Sequence, residues 1–274
     1  MAAGQQNILR ERRQYNQWVA NETLEDYALR FTATKARRWS TARVANAALG
    51  TVAFLVLEAI GATITLSYGF TNAAAAILVV GAIIFALGLP VSYYAAKYGV
   101  DIDLLTRGAG FGYIGSTITS LIYASFTFIF FALEAAVMSR ALELCFGLPL
   151  FWGYLFSALV VIPLVTHGFT FLNRFQFWTQ IVWIILQLIP FIALGVAGLL
   201  RLDEWTAYDG RLGEAGGSFD LLLFGAAAAV VFALVPQNAE QVDFLRFLPR
   251  ARAGRRWAWW TAVICAGKDR KSVV

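Results

Sequence analysis

Hydrophobic positions in this chain come in long unbroken runs, not in the alternation of a half-buried strand or the one-sided stripe of a surface helix. Six runs, at about 44–66, 71–96, 114–138, 147–166, 176–200 and 219–247, follow one another. Each has about the 20 residues that cross a hydrocarbon core of about 30 Å at 1.5 Å per residue. A seventh begins at "RRWAWWTAVICAG" and is cut short by charge. The pattern predicts an all-α multi-pass membrane protein, with a polar tail at 1–42 and one membrane domain at 43–266. The closing residues 267–274, "GKDRKSVV", do not fit the pattern and read as a non-native tail, so the chain is expected to be truncated at span seven.

Two of the runs contain residues that do not belong in oil. Span six is apolar up to Val235 and then meets Pro236, Gln237 and Asn238, with Glu240, Gln241 and Asp243 after them. Proline removes an amide donor and clashes with the preceding turn, so a break is expected there. Span one carries Glu58, with Gly61 and Thr63 beside it as the expected weak point in "EAIGAT". Burying an unpartnered carboxylate costs several kcal/mol or more, which makes Glu58 a candidate for a wet cavity or a binding site. Spans one and six stand five apart, and interrupted helices in matching places of two halves are the pattern of inverted-repeat transporters.

Composition supports the membrane reading: 59% of the 274 residues are hydrophobic and 14% charged, against about 45–50% and about 25% in soluble domains. Charge then sets an expected orientation. Basic segments such as "TKARRWSTAR" and "RFLPRARAGRR" alternate with an acidic loop after span five holding Asp203, Glu204, Asp209, Glu214 and Asp220. Lys and Arg stay on the cytoplasmic side, so the amino terminus is expected in the cytoplasm. The net charge of +5 then reflects topology, and no nucleic-acid partner is needed. Cys145 and Cys265 lie far apart and suggest neither a disulfide framework nor a metal site.

Span three offers the next chemistry. Tyr123, Thr127, Phe130 and Glu134 follow helical spacing and share one face. Aromatic rings with a hydroxyl and a carboxylate suit a flat, hydrogen-bonding heterocycle, although Phe130 also fits lipid or helix packing and Glu134 an ion pair with Arg140. Gln180 and Gln187 share a face of span five and suit either a cavity or a neighbouring helix. His167 is expected to cap or sit at an interface. Gly110, Gly112 and Gly115 fit GxGxxG, but no strand precedes them and no acid follows in a βαβ unit, so a tight turn into span three is expected. No nucleophile with a base and orienting acid stands out, and the chain is read as a non-enzyme without cofactor.

The segment "AAKYGVDIDLLTRGAGFGYIGS" and the hexapeptide "VDFLRF", Val242 to Phe247, resemble the loop into span three and the span-six signature of the nucleobase:cation symporter family, the purine and cytosine permeases and hydantoin and allantoin transporters. The resemblance covers about residues 45–265. It implies a twelve-span protein of two inverted five-span repeats, of which this chain holds the first and the opening of the second, with the carboxy-terminal half missing. It also implies a symporter importing a nucleobase or related planar nitrogen heterocycle across a bacterial inner membrane. The coupling ion, sodium or a proton, is not specified, because the family's sodium site is shared with span eight. The positions matching the family's base-holding glutamine and tryptophan are Thr127 and Phe130, which differ from it. The expected substrate site comprises Glu58, Gly61, Thr127, Phe130, Glu134, Phe232, Gln237 and Asn238, around a central cavity between spans one, three and six. A second expectation is a transporter-like sensing domain joined to a signalling module such as a histidine kinase.

Overall fold

The computed structural model describes residues 32, 34, 37–50, 54–166, 168–213, 218–251 and 256–267. His167, Glu214, most of the 1–42 tail and residues 268–274 lie outside them. The described chain is helical, without a β-strand. We number α1 Thr41–Gly50, α2 Leu55–Tyr68, α3 Phe70–Tyr98, α4 Ile102–Thr106, α5 Gly112–Phe146, α6 Leu150–Thr166, α7 Gly168–Val196, α8 Leu202–Thr206, α9 Leu221–Phe232, α10 Glu240–Leu245 and α11 Arg256–Gly267.

Among the described residues, four helical runs are long and apolar enough to cross a membrane: Phe70–Tyr98, Ile102–Phe146, Phe171–Val196 and Leu221–Leu245. The pair α1 and α2, bent by 49°, makes a fifth if taken as one span. Expected span four is α6, a shorter apolar helix whose 17 residues sit at the low end of the about 17–25 that a crossing takes. Rings and branched chains such as Trp178, Ile185 and Phe191 stand exposed along α7, as they would in a multi-pass protein with lipid against them.

Helix α3 is the organiser. Ala73, Ala76, Val80, Ile84, Gly88, Ser92 and Ala95 recur at helical spacing and are buried, a stripe of mostly small side chains that lets neighbouring backbones come close. Against it pack α2 and α9 toward one end and α10 and α11 toward the other. The first contact forms a core of Ile64, Val80, Ile84, Ala227 and Val231. The second forms a core of Trp39, Val44, Val242, Leu245, Leu248 and Trp259.

The ends of the bundle are tied by backbone and caps. At the acidic end, the Arg211 and Leu212 amides donate to the Leu66 and Ser67 carbonyls, and the Phe70 amide to the Tyr208 carbonyl. Asp220 caps α9 by accepting from the Leu222 and Leu223 amides at 2.7 and 3.0 Å. At the basic end, Arg37 is buried and donates to the carbonyls of Ala96, Lys97 and Leu248. One side chain thus holds the last turn of α3 and the chain beyond α10 together.

The glycines of "GAGFGYIG" form a turn. Arg107–Phe111 is a single wide helical turn between α4 and α5, with Gly110 at φ 107° and Gly112 at φ 65°. Those values lie where a Cβ is strained, which accounts for glycine at both positions.

Candidate functional site

Of the two expected breaks, the one in span six is present and the one beside Gly61 and Thr63 is not. α2 runs without interruption through Gly61 and Thr63, whose neighbourhood was expected to be the weak point. The Thr63 hydroxyl donates to the Ala59 carbonyl at 2.7 Å and the Thr65 hydroxyl to the Gly61 carbonyl at 2.8 Å. Helices α1 and α2 differ in direction by 49°, and residues 51–53 between them lie outside the described residues. At the start of α2 the Glu134 carboxylate, on α5, accepts from the Val56 amide at 3.0 Å. That satisfies one of the orphan donors at a helix start and sets a negative charge against the positive end of the α2 dipole. Glu134 therefore pairs with backbone; Arg140, its expected partner, is bound to Glu143 at 2.8 Å.

Phe130 lies one turn before Glu134 and is 8% exposed. Its ring meets Phe54, at the start of α2, with centroids 5.9 Å apart, and Phe126 at 4.4 Å. The expected stacking platform is thus already covered by the protein's own rings. Thr127 is exposed and donates to the Tyr123 carbonyl in its own helix at 2.9 Å. The Tyr123 hydroxyl reaches across to the Asp243 carboxylate of α10 at 3.4 Å. Three of the four residues read as one face of span three therefore do reach the breaks.

In span six, α9 ends at Phe232 and a short tight helix, Val235–Ala239, leads into α10. Pro236 opens this turn. Proline alone does not explain the break, because Pro90, Pro163 and Pro190 sit inside continuous helices. What differs is the polar sequence behind Pro236. The Asn238 amide donates to the Ile84 carbonyl at 3.3 Å and the Gln241 amide to the Gly88 carbonyl at 3.0 Å. Gly88 makes this possible: a Cβ there would lie 2.9 Å from Asn238 Oδ1.

Asn238 Oδ1 itself is buried and has no hydrogen-bond donor among the described residues. Asn238 also borders a cavity of about 220 Å³ shared with Tyr123, Thr119, Thr106 and Pro236. Gln237 is buried beside it, whereas Phe232 is 43% exposed and borders neither this cavity nor the one at Glu58.

Glu58 and Gly61 go elsewhere. Expected to face the space between spans one, three and six, they line a separate cavity of about 580 Å³ between α2, α3, α7 and α8, with Gln187, Phe191 and Trp205. Helix geometry is the reason. Glu58 stands two residues, about 200° of rotation, from Val56, whose side chain is buried.

Arg37 and its three carbonyls were not legible in the sequence, where the residue was one charge in a basic run. The "VDFLRF" stretch is buried at Val242, Phe244, Leu245, Arg246 and Phe247, so much of its character belongs to the core at the basic end. Among the described residues, no group of three or more His, Cys, Asp or Glu side chains is placed to hold a metal ion. No model of a known protein family matches the chain, and neither the curated proteins nor the solved structures yield a match.

Proposed function

We propose that the chain belongs to a secondary active transporter that moves a small planar nitrogen heterocycle by alternating access. The observation that carries this reading is the break in span six, where a buried amide oxygen, Asn238 Oδ1, lacks a donor beside a cavity shared with span three. A buried acceptor left unpaired costs about 1–3 kcal/mol, and a ring N–H supplies the missing donor. The cavity of about 220 Å³ is below the about 300–1,000 Å³ of drug-sized sites, which suits one small ring. Tyr123, Thr119 and Thr106 add hydroxyls around it.

The coupling device in this reading is the pair of broken spans. Irregular backbone at membrane depth is tolerated where it is buried in protein or borders water; the start of α2 is held by α5, and span six at its break by both α3 and α5. The five-plus-five inverted repeat, the cytoplasmic amino terminus and placement in a bacterial inner membrane belong to the same proposal, as does coupling to sodium or a proton. The resemblance in "VDFLRF" and the loop into span three supports nucleobases and their relatives as the substrate class.

The test is uptake of tritiated cytosine, uracil, hydantoin and allantoin by cells expressing the full-length protein. Uptake of at least one is expected, with loss in Asn238→Leu at unchanged membrane abundance. Equal uptake by the variant removes Asn238 from the site and the reading with it.

A further inference from the structure

Glu58 is left without a role by the site at the breaks. Its carboxylate makes no hydrogen bond or ion pair with the described residues, and the cavity it borders includes no Lys, Arg or His. Nor does Thr65 serve it, since that hydroxyl donates to the Gly61 carbonyl. The other polar side chain at the wall is the Gln187 amide of α7, also without a protein partner. The rest is apolar or aromatic: Ile77, Leu78, Phe191, and at the acidic end Phe70 and Trp205, whose ring centroids are 5.0 Å apart. Along α2, Glu58 is eight residues from Leu66, about 12 Å of helix, so the carboxylate and the Phe70–Trp205 pair stand toward opposite ends of the cavity.

A carboxylate in such a place, when charged, calls for a positive partner. An inorganic cation is poorly served, because sodium and calcium need several oxygens and only Glu58 and Gln187 offer side-chain oxygens beyond the committed threonine. An organic cation is well served. Its charge needs one carboxylate, and its body gains from apolar and aromatic walls. The volume of about 580 Å³ also falls in the range of drug-sized ligand sites, about 300–1,000 Å³.

We infer that the α2–α3–α7–α8 cavity is a second ligand site, which binds a hydrophobic ammonium ion with its nitrogen against Glu58 and its body among Phe70, Phe191 and Trp205. The site shares no lining residue with the cavity at the breaks, and it stands whether or not a heterocycle is transported there.

The probe is tritiated benzyltrimethylammonium, with its uncharged carbon isostere neopentylbenzene as competitor. Equilibrium dialysis against the 274-residue chain in zwitterionic lipid nanodiscs at pH 7 reads binding, with empty nanodiscs giving the non-saturable background. Saturable binding to the wild type is expected, weakened about tenfold or more by Glu58→Gln and about threefold by Trp205→Ala. Neopentylbenzene is expected to compete at least tenfold more weakly than unlabelled benzyltrimethylammonium. Competition on the wild type needs no variant and decides the matter if Glu58→Gln melts early. Absence of saturable binding, full affinity in a folded Glu58→Gln, equal competition by the neutral isostere, or displacement by millimolar sodium would each overturn the inference.

Discussion

Arg37 joins two helix ends that the chain separates widely, and its removal is the sharpest test of how the basic end is built. The side chain is 4% exposed. Its Nε–H donates to the Leu248 carbonyl at 2.9 Å, and its two amino groups to the Lys97 and Ala96 carbonyls. Burial first, and the positive charge of Arg250 second, pull its pKa below the usual guanidinium value. Charging it in place therefore costs stability at every pH below both the folded and unfolded values, and the three carbonyls offset that cost. Arginine stays protonated near neutrality, so this balance does not change between about pH 6 and 8. Arg37→Met keeps the stem and strands three carbonyls. At a net of about 1–1.5 kcal/mol for each hydrogen bond the loss is about 3–4 kcal/mol, reduced to about 2–3 kcal/mol by the relieved desolvation. With about 2–4 °C per kcal/mol in a domain of this size, the melting temperature should fall by roughly 5–10 °C. Arg37→Lys keeps a cation at the helix end but replaces a five-donor fork by a point charge, and should lie between the two. Thermal melts followed by tryptophan fluorescence suit the measurement, since Trp39 and Trp259 are buried in the same core. A shift within about 1 °C for Arg37→Met at pH 6, 7 and 8 would show that the three carbonyls are as well satisfied by water, and would refute the argument.

Three further outcomes are expected. Gly88→Ala sets a methyl 2.9 Å from Asn238 Oδ1 and 3.1 Å from Gln241 Nε2; it should cost about 1–3 kcal/mol, read as a lowered melting temperature, and an unchanged one would mean span six moves aside freely. Glu134→Leu removes the acceptor of the Val56 amide, so hydrogen exchange in 55–68 should speed up about tenfold while Glu134→Gln, which still accepts, changes it less; equal protection in all three proteins would deny the cap. In a background of Cys145→Ser and Cys265→Ser, a cysteine at Glu204 should react with an impermeant thiol reagent from outside the cell and one at Arg250 should not, and the reverse pattern would invert the proposed topology. The loop positions Gly216 and Ala253, equally natural choices, lie outside the described residues.

That the chain is built of long apolar helices was legible in the sequence, because a run of about 20 apolar residues has few alternatives to a membrane helix; their number was not, since six complete runs became four spanning helices, or five with the bent pair. The break in span six was legible for a related reason: Pro236, Gln237 and Asn238 are chemically wrong for an uninterrupted apolar helix. Which way side chains face was not. Glu58 reads as a site residue from its charge, yet its direction depends on how α2 is rotated, and that rotation goes with the burial of Val56 and Ile64. The helix passes Gly61 at a cost of only about 1 kcal/mol, and its start is capped by Glu134 at the Val56 amide, a contact across 78 positions. Arg37 tells the same story: its charge is plain in the sequence, but its partners are backbone carbonyls 59, 60 and 211 positions away. Backbone groups carry no residue-specific signal, so only the folded chain decides which of its many carbonyls a guanidinium will meet.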